Sequence, residues 1–206
     1  MKGELFILSA PAGGGKTTIT NLLLKEIPNL TRVITCTTRN PREGEVNGKD
    51  YIFLSKEEFE QGIKEGKFLE YAVVHGNYYG TPKEEVEKLL NEGKDVILVI
   101  DVQGMRQIKG KIRPLTTIFL IPPSIEELVN RMKKRGDSPE EIQKRLETAK
   151  KEFPAWKEYD YIVINDILED AKEKIKTIIL AQKNKTERFE IFVIKDNELR
   201  KLMENA

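Results

Sequence analysis

Apolar runs bounded by turn residues recur along the chain, at Leu5–Leu8, Val96–Ile100, Thr117–Ile121 and Tyr161–Ile164. Runs with little polar alternation predict strands buried on both faces, as in a parallel sheet. Amphipathic stretches with helix-start signals lie among them. Ser55 with Glu58, Ser124 with Glu127, Ser138 with Glu141 and Asp166 with Glu169 each set a capping residue three positions before a Glu. Pro139 occupies a first helical position, where its missing N–H costs nothing. Strand and helix patterns alternate from end to end, which predicts an α/β fold with a mainly parallel central sheet.

From about Thr31 to Lys94 the pattern changes to turn-rich segments and short alternating runs, such as Tyr51–Leu54 and Phe68–His75. This predicts a smaller, partly antiparallel insertion, set between the first strand–helix unit and the strand Val96–Ile100. A further short strand, Phe189–Ile194, and a terminal helix are expected after about Lys185. The whole chain reads as one domain. Its core is 1–33, 95–125 and 158–185, with the insertion at about 34–94, a helical segment at about 126–157 and an extension at about 186–206.

Composition narrows the classes. The 206 residues carry 35 Lys and Arg against 34 Asp and Glu, a formal charge of +1. That balance excludes a protein that holds nucleic acid by bulk charge. Hydrophobic residues at 39% and charged residues at 33% describe a soluble globular chain. No apolar run nears the roughly 20 residues of a bilayer span, and the start of the chain lacks the long apolar core of a secretion signal. A cytoplasmic protein without membrane partners is expected. Cys36 is the only cysteine, which excludes an internal disulfide and a cysteine-rich zinc site, and reads as a small strand residue. His75 reads as a half-exposed strand residue, Tyr78 as packing, and Trp156 as packing at the base of a helix.

The first strand runs into Ser9-Ala10-Pro11-Ala12-Gly13-Gly14-Gly15-Lys16-Thr17-Thr18. This is a phosphate-binding loop, Gly-x4-Gly-Lys-Thr, with Ala10 in place of the first Gly. The glycines let successive N–H groups turn toward one anion, and the helix from about Lys16 to Glu26 adds the positive end of its dipole. Lys16 can reach the β- and γ-phosphates, and the Thr17 hydroxyl can bind Mg²⁺. Asp101 ends the strand Val96–Ile100, where an open parallel sheet has its ligand crevice. It can act on Mg²⁺ through water, hold a second substrate, or cap the next helix.

The insertion contains Thr35-Cys36-Thr37-Thr38-Arg39-Asn40-Pro41-Arg42, then Phe68-Leu69-Glu70-Tyr71, then Gly76-Asn77-Tyr78-Tyr79-Gly80-Thr81. With Ile100-Asp101-Val102-Gln103-Gly104, Ile121-Pro122-Pro123-Ser124 and Arg131, Arg135, Gly136 and Arg145, these segments closely resemble guanylate kinase over roughly residues 4–185. The resemblance implies a P-loop three-layer fold, a GMP-binding insertion, a helical lid over ATP, and transfer of the ATP γ-phosphoryl group to GMP with Mg²⁺. Thr35 stands where that family usually has Ser, and Val99 where it often has an acid.

The implied chemistry can be weighed residue by residue. Arg39 and Arg42 offer forked charged donors, and Tyr51 and Tyr79 phenol donors, to the GMP phosphate. Glu70 can accept from guanine N1–H and N2–H₂, and would face a lone pair on adenine N1. Thr35 and Thr81 can donate to guanine O6 or N7, while Asp101 borders the same site. Residues 10–18 would hold ATP phosphates, with Asn165 toward adenine, and Lys16, Arg42, Arg131, Arg135 and Arg145 would stabilise the moving phosphoryl group. Plainer roles stay open: solvated charge for the arginines, and a helix cap for Thr81, which starts Thr81-Pro82-Lys83-Glu84. The competing function is a non-catalytic interaction module of the same fold, and the chain can be a monomer or a homo-oligomer joined through its extension.

Overall fold

The computed structural model describes residues 2–74, 76–185 and 195–204. The chain opens with β1 (Leu5–Ser9), α1 (Lys16–Glu26) and β2 (Leu30–Arg32). It continues through β3 (Cys36–Thr37), β4 (Ile52–Phe53), α2 (Lys56–Lys64), β5 (Phe68–Val74), β6 (Asn77–Pro82) and α3 (Lys83–Asn91). Then follow β7 (Asp95–Val99), α4 (Val102–Ile108), β8 (Leu115–Ile121), α5 (Ile125–Lys134) and α6 (Pro139–Glu152). A 3₁₀ turn (Phe153–Glu158), β9 (Tyr161–Ile164), α7 (Leu168–Gln182) and α8 (Asn197–Glu204) complete it. Among the described residues no helix is long and apolar enough to cross a membrane.

Five strands form one parallel sheet in the order β2-β7-β1-β8-β9. All five residues of the central strand β1 are buried, which its unbroken apolar run requires. Leu5 and Ile7 join one core cluster with Val86, Leu90, Met105 and Ile108, so α3 and α4 cover that face. Phe6 and Leu8 join the opposite cluster with Ile19, Leu23, Ile175 and Ile179 from α1 and α7. Each such side chain contributes about 1.5–3 kcal/mol on burial. The insertion forms a second sheet, β4-β3-β6-β5, parallel only between β3 and β4. The helical pair α5 and α6 has its own cluster, Leu128, Met132, Ile142 and Ala149. Phe153 packs against both this cluster and the sheet core, and so joins the pair to the body of the protein.

Ser55 and Ser138 form complete capping boxes with Glu58 and Glu141. Ser124 caps Glu127 N–H at 3.0 Å, but the Glu127 carboxylate is drawn to Arg131 instead of returning the bond. The expected Asp166 cap is absent: α7 starts at Leu168 behind Ile167, which gives no side-chain cap. Glu169 pairs instead with the buried Lys172, which also meets Glu26 and Glu173. The Thr81 cap is likewise absent, because β6 runs on through Pro82. Trp156 is 46% exposed rather than packed, since Ala155 and Tyr159 take the inward positions of that turn. Cys36 is a buried strand residue, and burial pushes its thiol up to about 11. The predicted strand Phe189–Ile194 and His75 lie outside the described residues.

An aromatic stack holds the insertion together. Phe59 of α2 lies at 4.3 Å from Phe68 of β5 and 5.0 Å from Tyr78 of β6, with interplanar angles of 14° and 13°. Phe59 is fully buried, so Phe59→Ala leaves a cavity as well as losing the stack. The expected loss is about 3–5 kcal/mol in urea unfolding. A loss below about 1 kcal/mol would show that the stack does not hold the insertion.

Candidate active site

The cradle begins where β1 leaves the core. Gly13 and Gly15 have φ of 84° and 94°, conformations that side chains rarely adopt, and Gly15 is the residue from which α1 starts. The first turn of α1 carries no acid, so nothing there opposes an anion at its N-terminus. Ala10 is buried in the core, where its methyl group packs against the α1 side of the sheet. Asn165, from the end of β9, donates to the Gly14 carbonyl at 2.9 Å and is 3% exposed. That amide braces the loop from beneath.

Lys16 Nζ folds back and donates to the Ala10 carbonyl and, at 3.5 Å, to that of Pro11. Burial lowers its pKa, against the charges of Glu152 and Asp101, and Arg135 lowers it further. Over the loop lies a cavity of about 640 Å³ bounded by Pro11–Thr18, Arg32, Arg42, Arg131, Arg135 and Arg145. Acids hold several of these cations in place. Arg135 pairs with Asp137, which also lies 3.3 Å from Arg145 Nε. The hydrogen bond from Arg135, more than the neighbouring charges, holds the Asp137 carboxyl below its usual range. Arg131 donates to Glu127 at 2.8 Å and to the Asn165 carbonyl at 2.9 Å. Arg39 grips Glu45 through both carboxylate oxygens, at 2.8 and 2.9 Å, while lying 5.4 Å from the centre of the Tyr51 ring. The same Glu45 accepts from the Arg42 main-chain N–H at 2.7 Å.

A second cavity of about 180 Å³ adjoins the first at Lys16, Thr17, Arg32 and Tyr51, and is lined further by Thr35, Glu70, Tyr79, Val99 and Asp101. Glu70 closes it, 3% exposed. Thr81 donates its hydroxyl hydrogen to Glu70 Oε1 at 2.5 Å. In this arrangement that hydrogen is engaged by Glu70, and the hydroxyl lone pairs remain acceptors. Asp101 takes Gly104 N–H at 2.9 Å on Oδ1 and the Gln103 amide at 3.2 Å on Oδ2, so it caps α4 while bordering the cavity. Tyr51 and Tyr79 meet edge to face at 6.1 Å.

The residues picked from the sequence thus gather around two joined cavities, except that Arg39 is turned to Glu45, Asn165 lies under the loop, and Ala10 and Thr81 are buried outside the cavity walls. Sequence reasoning missed four others. Arg32 borders both cavities from the carboxyl end of β2, and the rule that singled out Asp101 also applies to it. Glu45 and Asp137 stand in loops and Glu152 in a Lys- and Glu-rich helix, with no local signal. Burial raises Glu152 to about 7, with Lys16 acting against that rise and Asp101 adding to it.

Residues 2–182 match the family model described as guanylate kinase. A relative from Clostridium perfringens (strain 13 / Type A), named guanylate kinase, is 48% identical over 96% of this chain and 92% of its own length. One of the same name from Caldanaerobacter subterraneus subsp. tengcongensis is also 48% identical, over 96% of each chain. The crystal structure of guanylate kinase from Anaplasma phagocytophilum superposes with a TM-score of 0.79 at 34% identity, covering 100% of this chain and 95% of that one.

Burial lifts Glu70 from its ordinary value near 4.5 to about 7; the Thr81 hydrogen bond acts against this and the Asp101 charge adds to it. The sign follows. Between about 4.5 and 7 the folded chain keeps a proton that the unfolded chain has released. This group's contribution to stability is therefore full below that window and is lost as pH rises through about 7. In the nucleotide-free protein, Glu70→Gln should cut the stability lost between pH 5 and pH 8 by about 2–3 kcal/mol, measured by urea unfolding. Parallel wild-type and variant profiles would contradict this account of Glu70.

Proposed function

The chain belongs to the guanylate kinase family, and from that premise we propose that its two joined cavities carry out ATP:GMP phosphoryl transfer, giving ADP and GDP. One observation carries the reading: a cation-rimmed phosphate loop opens, at Lys16 and Thr17, onto a small cavity closed by a buried carboxylate. A site for phosphates alone has no use for a buried Glu70. A site for guanine does, because adjacent N1–H and N2–H₂ donors need an acceptor, and adenine would leave that acceptor unpaired. The non-catalytic module is not favoured, since Lys16 and Thr17 are intact and the relatives carry a kinase name.

The nucleophile is a GMP phosphate oxygen, already anionic near neutral pH, so no strong base is required. Catalysis is alignment and charge stabilisation. Arg39, Arg42, Tyr51 and Tyr79 hold the acceptor phosphate, which must take Arg39 from Glu45. Residues 10–18 cradle the ATP phosphates, and Lys16 leaves the Ala10 and Pro11 carbonyls to meet them. Arg135 and Arg145 share the single charge of Asp137, so a triphosphate finds cation left over. Thr35 reads the guanine edge beside Glu70. Mg²⁺ fits the hard oxygens on offer: Thr17 supplies a hydroxyl, and Asp101, with both oxygens already accepting hydrogen bonds, acts through water. When bound, the ion offsets charge on the phosphates.

The direct test is GDP formation from ATP and GMP by the purified chain. Lys16→Ala should lower kcat at least about a hundredfold, near 3 kcal/mol, and leave the GMP Kd within about threefold. Near-normal turnover would remove this loop from the reaction.

A further inference from the structure

We propose that α4 sets base specificity, with Gly104 and Gln107 as positioning residues that fix the Glu70 carboxylate against the purine. The inference rests on Glu70 reading guanine, and adds what holds Glu70 in place.

The backbone beside Glu70 lies on an exposed sheet edge. β5 is the last strand of the insertion sheet, so its outer N–H and C=O groups have no neighbouring strand. Gln107 supplies the missing partner at Tyr71, the residue next to Glu70. Tyr71 N–H donates to Gln107 Oε1 at 3.1 Å, and Gln107 Nε2 donates to the Tyr71 carbonyl at 2.5 Å. One side-chain amide thereby reproduces the paired bonds of an adjacent strand. It ties the insertion to a core helix whose Met105 and Ile108 are fully buried.

Gly104 lies one turn before Gln107, on the same side of α4. A Cβ built there would stand 2.5 Å from Glu70 Oε2 and 3.1 Å from its Cδ. The carboxylate thus rests against bare helix backbone, closer than any other residue would allow. Ile100 Cδ1, at 3.2 Å from the same point, crowds the site further. Thr81 holds the other oxygen, Oε1, from β6. The carboxylate is held between a sheet hydroxyl and a glycine, with its backbone clamped by Gln107. The N–H of the same Gly104 binds Asp101, so one helix turn orders both acids of the cavity. Gly104→Ala must move the carboxylate, and Gln107→Ala frees the backbone that carries it. Either change costs the acceptor geometry that favours guanine.

The test is steady-state kinetics with GMP and AMP at fixed ATP and Mg²⁺, on Gly104→Ala, Gln107→Ala and Glu70→Gln, singly and combined, with a thermal melt of each. Gly104→Ala and Gln107→Ala should each lower the GMP-to-AMP ratio of kcat/KM at least about tenfold, with the loss in the GMP KM and the ATP KM unchanged. Adding Glu70→Gln to either should lower the ratio little further, because the residues act through one carboxylate. Gln107 bonds from outside the sheet core, so its variant decides the matter if Gly104→Ala does not fold. A lower melting temperature with the ratio within about twofold of wild type would overturn the proposal while leaving Glu70 as the base reader, provided Glu70→Gln itself shifts the ratio. An unchanged ratio in folded Glu70→Gln would overturn the Glu70 reading and the proposal with it.

Discussion

The parallel pairing of β1 with β7, from Leu5 against Val96 to Leu8 against Val99, is the constraint on which the site depends. Two neighbouring parallel strands deliver their following segments to the same edge of the sheet. The phosphate loop leaves β1 there, and Asp101 and α4 leave β7 beside it. β2 flanks β7 on its other side and brings Arg32 to that edge. The insertion departs from the same end, after β2, and brings Thr35, Glu70 and Tyr79 beside Asp101. No single loop builds the cleft; side-by-side parallel strands do, with β1 buried throughout and β7 buried at all but its last residue.

Charge imposes the second constraint. Cations crowded around one cavity repel one another and would scatter into solvent without partners. Here they are held by acids: Arg39 by Glu45, Arg131 by Glu127, and Arg135 and Arg145 by Asp137. Lys16 rests on the carbonyls of its own loop. Most of these side chains are largely shielded from solvent, so each acid offsets a cation that would otherwise be left partly buried and unpaired. Glu70 is the opposite case: among the described residues no cation pairs with it, and burial disfavours its charge.

The sequence showed most plainly whatever is local in the chain. Four core strands were visible as apolar runs, the capping serines as Ser-x-x-Glu, and the phosphate loop as a contiguous motif. Local patterns misled where other partners took the same groups. Asp166 with Glu169 has the form of a cap, yet Lys172 claims Glu169. Thr81 begins an apparent capping box, yet it belongs to a strand and bonds Glu70 across the sheet. Asn165 also bonds Gly14, from far along the chain, a contact no local pattern shows. Glu127 on Arg131 follows the i,i+4 rule of one helix, whereas Asp137 on Arg145 and the amide of Gln107 on Tyr71 exist only once separate segments are packed, so no spacing rule reveals those two.

The central claim is that one cleft holds an adenine nucleotide and a guanine nucleotide at once, phosphate to phosphate. Titrating the protein with adenosine and guanosine joined by a pentaphosphate tests it most directly. Because binding the second half becomes intramolecular, the joined ligand should bind at least about a hundredfold more tightly than ATP or GMP alone, and exclude both. The diadenosine counterpart should gain little, since its second base meets Glu70 without donors at the right atoms. A joined ligand that binds no better than ATP, or that leaves GMP binding unaffected, would contradict the account.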